Sequence, residues 1–453
     1  MKKSLKIPQF VENFMDVFRK NGYKIFVVGG AVRDLLLDRS TQNWDFTTNA
    51  KPDEIQGFFD KSIYNNDFGT VVIPIQNTAT SKIKFIFEVT PFRKESSYDD
   101  FRHPTHIEWA QTIEEDLQRR DFTINALAYD GKHLIDISES QHDIEKKIIR
   151  AVGDPDQRFK EDALRLMRAI RFASELEFLI EEKTHKAIAH NAHLIQNISW
   201  ERIREEFIKI LSSDHPAEGI IFLKQTGLLK FILPELEACF SIEQKSPKRH
   251  HIYDVGTHSI ETLRHTPTKD PITRFAALLH DIGKVETVQK DKQTGVITFH
   301  DHEIIGAKKA EGVAYRFRLS RKQKEKLVTL VHRHMFSVQE KQTDKAIRRF
   351  IRTVGTENLQ DVLDLRTGDR IGSGSQPTSW RTELFKKRLI EVQKKPFTVH
   401  DLKITGNDVM KTLGLPPGPK IGEILEQLFE KVADGTLKNE KKILLEELSK
   451  NEK

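Results

Sequence analysis

Apolar positions between residues 7 and 21 recur every three to four residues, a spacing that predicts an amphipathic helix. The run Lys24-Ile25-Phe26-Val27-Val28 predicts a short strand ending at Gly29-Gly30, and residues 31–37 read as another helix. The two glycines thus stand at a strand-to-helix turn. Backbone N–H groups can approach a phosphate closely there, although a Gly-Gly pair equally makes an ordinary tight turn. Residues 71–75 and 85–89 predict further strands, whereas nearly everything after residue 150 has helical periodicity. Helical patterning runs from about 161 to 211, with Pro216 after it. The polar stretch 241–251, with Pro247, Lys248 and Arg249, reads as a connecting loop. A second helical region follows at about 254–394, closed by Pro396, and Pro416-Pro417-Gly418-Pro419 stand ahead of a last, charged helix. The expected domains are therefore 1–150, 151–240, 241–395 and 396–453.

Composition narrows the classes. The chain has 453 residues, 38% hydrophobic and 31% charged, which suits a soluble multidomain protein. No apolar run approaches the roughly 18 residues of a membrane span, and the N-terminus lacks the apolar segment of a signal peptide, so a cytoplasmic location is expected. A single cysteine, Cys239, reads as buried and inert; any metal site must draw on histidines and carboxylates. The net charge of +6 suits a polyanionic partner without establishing one. Arg119-Arg120, Lys146-Lys147, Arg321-Lys322, Arg348-Arg349 and Lys386-Lys387-Arg388 are phosphate contacts or solvated helix faces. Neither GxGxxG nor GxxxxGK[ST] occurs, which argues against Rossmann and P-loop enzymes.

Six blocks follow one another: Val28-Gly29-Gly30-Ala31-Val32-Arg33-Asp34; Asn43-Trp44-Asp45-Phe46-Thr47-Thr48; Glu88-Val89-Thr90-Pro91-Phe92-Arg93; Arg119-Arg120-Asp121-Phe122-Thr123-Ile124-Asn125-Ala126; the stretch from Glu161-Asp162-Ala163-Leu164-Arg165 through Arg168 to Phe172; and Ser199-Trp200-Glu201-Arg202-Ile203-Arg204-Glu205-Glu206. In this order they resemble the class II tRNA nucleotidyltransferases and the related bacterial poly(A) polymerases. The resemblance implies an α+β head, a mixed sheet with helices, followed by an all-α neck and body. It also implies addition of CCA, or of its terminal A, to the tRNA 3′ end and acceptor arm from CTP and ATP, with pyrophosphate released. Phosphoryl transfer of this kind needs divalent metal, and Mg2+ prefers carboxylates alternating along a strand. The family pair is Asp-x-Asp, and here it reads Asn43-Trp44-Asp45. An amide carries no charge, so Asn43 suggests an inactivated or weakened form, either altered from Asp or native. Glu88 is a third carboxylate or a surface Glu. By resemblance Gly29, Gly30, Arg33, Arg120, Asp121, Asn125 and Arg168 bind the nucleotide, though Asp121 is alternatively a structural cap. Asp162 and Arg165, placed on one predicted helix, select the base or form a surface ion pair. Residues 93–118, with Tyr98, Asp99, Asp100 and Arg102, resemble the flexible loop of members that add the terminal A, or are a solvent loop.

A second series, His258, His280-Asp281, His302, His334 and Asp369, resembles the HD phosphohydrolase superfamily. It implies an all-α domain holding a divalent transition metal or Mg2+ on His258, His280, Asp281 and Asp369, with His302 and His334 completing a second position; His300 and His332 are weaker candidates. Lys284 is placed to meet a phosphate. The activity implied is a 2′,3′-cyclic phosphodiesterase, 2′-nucleotidase or phosphatase. Two other readings stay open: a poly(A) polymerase, and an HD phosphohydrolase whose transferase head has decayed into an RNA-binding module.

Overall fold

The computed structural model describes residues 5–41, 43–65, 69–76, 83–98, 104–244, 253–336, 338–340, 342–393, 399–433 and 436–450. Asp99, Asp100, Arg102, Pro247, Lys248, Arg249 and Pro396 lie outside the described residues. The chain forms two compact units, one of Met1–Glu237 with Arg316–Arg318, the other of Ala238–Tyr315 with Leu319–Lys453.

The first unit begins with the helix Gln9–Lys20, which buries Val11, Phe14, Met15 and Phe18, one face at i, i+3, i+4 and i+7. That face lies on a mixed sheet: the ring of Phe14 is 4.8 Å from those of Phe46 and Phe87. The strands are β1 (Ile25–Val28), β2 (Trp44–Thr48), β3 (Ile63–Asn65), β4 (Thr70–Gln76), β5 (Ile83–Pro91), β6 (Arg93–Tyr98), β7 (Pro104–Trp109), β8 (Leu127–Tyr129) and β9 (Leu134–Asp136). Seven of them form the sheet in the order β3-β4-β5-β2-β1-β8-β9, with β2 and β5 parallel and the other pairs antiparallel. Alternation along β2 decides the site. Trp44 and Phe46 point into the core, while Asp45 points to the other face, which is buried at its register partner Val28 on β1 and open at its partner Glu88 on β5.

The segment expected as a loop at 93–118 differs from that expectation. It contains the antiparallel ribbon β6–β7 and the helix Ile113–Gln118. Backbone pairing holds the ribbon, and its polar sequence carries no apolar period to reveal it.

Beyond the head, the helices Pro155–Glu161, Leu164–Leu176, Glu182–Asn191, Trp200–Ser212 and Pro216–Gln225 follow. A parallel pair, β10 (Ile148–Ile149) with β11 (Leu179–Ile180), interrupts the expected helical pattern. Buried Glu206 accepts from Arg171 Nε at 2.5 Å, fixing the Leu164–Leu176 helix, and a Cβ on Gly219 would come within 2.5 Å of Ile210. Glu206, the end of the last motif block, thus has a structural contact in the core of this unit.

In the second unit, Val255–His265, Pro271–Leu279, His302–Arg316, Arg321–Arg333 and Leu359–Gly372 are the helices around the histidine series. A hairpin, β12 (Val288–Lys290) with β13 (Ile297–Phe299), leads into His302. Close packing requires two glycines. A Cβ on Gly283 would sit 2.0 Å from the His302 carbonyl oxygen, and one on Gly368 would sit 2.6 Å from that of Thr262. The tail holds three helices, Gly406–Leu413, Pro419–Ala433 and Lys441–Lys450. They enclose their own apolar cluster of Val409, Leu428, Phe429, Leu444 and Leu448.

Candidate functional site

At the head, Gly29 has φ +68°, and a Cβ there would lie 3.2 Å from Arg120 Nη1. The turn therefore brings bare backbone beside a guanidinium. A continuous network runs from it. Arg33 Nη1 donates to Asn125 Oδ1 at 2.8 Å, and Asn125 Nδ2 donates to Asp121 Oδ1 at 3.2 Å. Asp121 Oδ1 also accepts from the Phe122 N–H, and its Oδ2 accepts from Arg168 Nε and Nη2 at 2.8 and 2.5 Å. Burial acts upward on Asp121, but Arg168, with Arg165 and the Phe122 N–H, outweighs it and holds the carboxyl down to about 2. Asp121 thus spends its acceptors inside the protein, orienting Asn125 and Arg168. Arg120 is itself anchored to buried Asp116 at 3.2 Å.

Asp45 is open to solvent yet ringed by protein, and desolvation raises its carboxyl above the ordinary range against the pull of Arg120 and Arg168. Glu88 is raised by desolvation and by the charge of Asp45 beside it. Two neighbouring carboxylates offer hard oxygen donors, which fit a divalent cation such as Mg2+. Asn43 stands exposed just ahead of β2, its carbonyl accepting from the Thr41 hydroxyl at 3.1 Å.

Asp162 and Arg165 do not share a helix. Asp162 adopts extended backbone (φ −138°, ψ 104°) in the break between Pro155–Glu161 and Leu164–Leu176. Nor do they pair with each other: Asp162 Oδ2 accepts from Arg202 at 3.2 Å, and Arg165 Nη1 donates to Glu161 at 2.6 Å. Arg165 also donates to the carbonyls of Arg158 and Arg119, so its guanidinium is held in place. The arginine clusters divide. Arg348 is buried and donates to the Ala433 carbonyl, and Arg388 bonds Asp344 at 2.8 Å, both structural, whereas Arg321 is exposed beside Glu325.

The histidine series converges in the second unit. Two sets of donor atoms gather, His258, His280 and Asp369 in one and Asp281, His302 and His334 in the other, each within 4.8 Å. His258 Nε2 is 3.2 Å from His280 Nε2 and 3.3 Å from Asp369 Oδ1; His302 Nε2 is 3.2 Å from His334 Nε2. Asp281 connects the sets, Oδ2 lying 3.1 Å from His280 Nε2 and Oδ1 3.3 Å from His302 Nε2.

Three rings are locked from behind. Nδ1 of His280, His302 and His334 donates to the carbonyls of Ala277, Phe299 and Val331 at 2.8, 2.8 and 2.7 Å. A proton on Nδ1 leaves the lone pair on Nε2 facing inward, the tautomer that ligates metal, so the residues fit a divalent cation. Burial and the neighbouring His280 hold His334 down to about 3, which keeps it neutral. Burial opposes the charge of Asp281, but His280 and Lys284 outweigh it and keep the carboxyl well below the usual range. Lys284 Nζ spans Asp281 Oδ2 and Gln244 Oε1, both at 2.6 Å. His300 and His332 belong to neither donor set.

A cavity of about 560 Å³ opens onto this cluster, lined also by Phe299, Met335, Arg366 and Arg370. Sequence reasoning missed Gln244, Arg366 and Arg370. The two arginines had a signal, since Arg366 shares a helical face with Asp369 at i+3 and with Arg370 at i+4. Cys239 is buried, its thiol pushed up to about 12 by desolvation and Asp281, which agrees with an inert side chain. Among the described residues no helix is long and apolar enough to cross a membrane.

Family models match three stretches: "Poly A polymerase head domain" over residues 25–150, "Probable RNA and SrmB- binding site of polymerase A" over 177–240, and tRNA nucleotidyltransferase domain 2 over 297–448. The chain is 31% identical to a CCA-adding enzyme of Ligilactobacillus salivarius, covering 97% of this chain and 98% of that one. It is 32% identical to a CCA-adding enzyme of Enterococcus faecalis over 98% and 97%. Among solved structures, the Bacillus stearothermophilus CCA-adding enzyme in complex with CTP is similar with TM-score 0.73 and 28% identity, over 99% of this chain and 98% of that one.

Proposed function

Because the chain belongs to the CCA-adding enzymes, which are nucleotidyltransferases, we propose that it adds C, C and A to the 3′ end of tRNA from CTP and ATP, without a nucleic-acid template and with release of pyrophosphate. The observation that carries this reading is the register of β1, β2 and β5. It sets Asp45 beside Glu88 on the open part of one sheet face, one strand from the Gly29-Gly30 turn.

Asp45, Glu88 and the amide oxygen of Asn43 would hold Mg2+. When bound there, the cation offsets triphosphate charge and eases deprotonation of the attacking 3′ hydroxyl. The protein's own groups do the rest. Gly29 and Gly30 leave backbone open to a phosphate, and Arg33, Arg120 and Arg168 supply positive charge around it. Asn125 keeps Arg33 aimed, Asp121 keeps Arg168 aimed, and Asp116 holds Arg120. Asp162 and Arg165, each immobilised by its own partner, offer an acceptor and a donor fork to the base edge. At Asn43 an amide replaces the carboxylate of the family pair, so cation affinity and turnover are lowered.

The test uses a tRNA lacking CCA, with CTP and ATP, and products resolved at single-nucleotide level. The protein is expected to add C, C and A slowly, and Asn43→Asp to add them faster. Long A tails would show a poly(A) polymerase instead, and no addition by either protein would sink the transferase reading.

The converging imidazoles support a second activity, metal-dependent hydrolysis of phosphoesters such as 2′,3′-cyclic nucleotides. Purified protein with added Mn2+ or Ni2+ should hydrolyse 2′,3′-cAMP or p-nitrophenyl phosphate; intact esters would exclude it.

A further inference from the structure

The helix Leu359–Gly372 contributes more to the cavity than its ligand Asp369. Arg366, Asp369, Arg370 and Ser373 all line the cavity, spaced i, i+3, i+4 and i+7, so one face carries them together. Lys284, Arg366 and Arg370 outnumber the two carboxylates lining that cavity, Asp281 and Asp369, before any cation binds. Both arginines are held. Arg366 Nη1 donates to Asp369 Oδ2 at 3.1 Å and its guanidinium lies 5.8 Å from the Phe336 ring centroid. Arg370 Nε donates to the Gln376 carbonyl at 3.0 Å and Nη2 to that of Thr378 at 3.4 Å.

Arg370 differs from Arg366 in one respect: among the described residues it forms no ion pair, its partners being carbonyls alone. A guanidinium fixed by neutral groups on the wall of an excess-positive cavity keeps its charge for an incoming anion, and its planar fork matches two phosphate oxygens at once.

We propose that Arg370, supported by Arg366, is the phosphate clamp of the histidine cavity, gripping the phosphoryl group of a small phosphoester whose organic part lies against Phe299 and Met335. The proposal deepens the hydrolase reading and rests on it for the identity of the cavity, yet it concerns binding and is tested as binding.

The experiment measures inorganic phosphate and p-nitrophenyl phosphate binding by calorimetry to full-length, Mn2+-loaded protein, with metal content and thermal midpoint recorded for every variant. Arg370→Ala should weaken both ligands about tenfold or more at unchanged metal content, because a charge-assisted fork is lost. Arg370→Lys should recover only part of that, since a point charge replaces the fork. Unchanged affinity in Arg370→Ala, or no phosphate binding by the wild-type protein, would overturn the clamp. Hydrolysis of the ester is scored separately. Arg370-dependent binding without turnover keeps the clamp and removes the hydrolase reading, whereas turnover that ignores Arg370 does the reverse.

Discussion

The two candidate sites are finished to different degrees. On the head, two carboxylates stand on adjacent strands, raised by desolvation and, at Glu88, by its neighbour, with an amide where a third charge is expected. In the second unit, six candidate ligand side chains converge and three imidazoles are locked through backbone carbonyls. On the proposed function, the difference is the one that the two kinds of cation would require. Mg2+ keeps several waters and is completed by substrate phosphates, so an open pair of oxygens suffices; a transition metal on imidazoles is held by the protein itself. All residues of each lie within a single unit.

The comparison breaks most sharply by removing one ligand at a time. Asp45→Ala should cost nucleotide addition about a thousandfold or more, comparable to losing a principal electrostatic group, while leaving bound transition metal untouched. Metal analysis of dialysed protein beside an addition assay reads both. Restoring charge is the next effect in size: Asn43→Asp should raise turnover on the order of tenfold, with the Mg2+ concentration for half-maximal rate falling. If the variant were slower at every Mg2+ concentration, the head would not be a weakened carboxylate site.

Packing gives a smaller effect in the second unit. Gly368→Ala puts a Cβ 2.5 Å from Thr266 Oγ1 and 2.6 Å from a carbonyl oxygen, forcing apart the helices that carry Asp369 and His258. A loss of about 1–3 kcal/mol and weaker metal retention are expected, read by thermal unfolding and metal content. The smallest effect is pH-dependent. Asp121 sits at about 2 against an ordinary 3.8, so its contribution is present above the ordinary value and fades as pH falls towards 2. That gap corresponds to about 2 kcal/mol. Asp121→Asn should therefore destabilise the first unit at neutral pH and converge with the parent near pH 2. A constant difference across this window would mean that Arg168 does not stabilise the charge.

Which parts were legible follows from the physics of each element. The Gln9–Lys20 helix and strands β1, β4 and β5 announced themselves through apolar period. Two-residue strands β10 and β11 and the polar β6–β7 ribbon are held by backbone pairing and leave no such trace. The site residues came from ordered motifs, and the structure gathers Arg33, Asn125, Asp121 and Arg168 into one hydrogen-bonded network, with Arg120 beside the Gly29 turn. The partners were hidden because they depend on tertiary contact. Nothing in local spacing says that Asp162 meets Arg202, forty residues away, or that the helix breaks between Asp162 and Arg165.

The most direct measurement is one addition assay on three proteins, the parent, Asp45→Ala and Asp281→Ala, using a tRNA that lacks CCA with CTP and ATP. Addition of C, C and A by the parent and Asp281→Ala, and none by Asp45→Ala, is the predicted result. Addition that survives in Asp45→Ala, or disappears in Asp281→Ala, would contradict it.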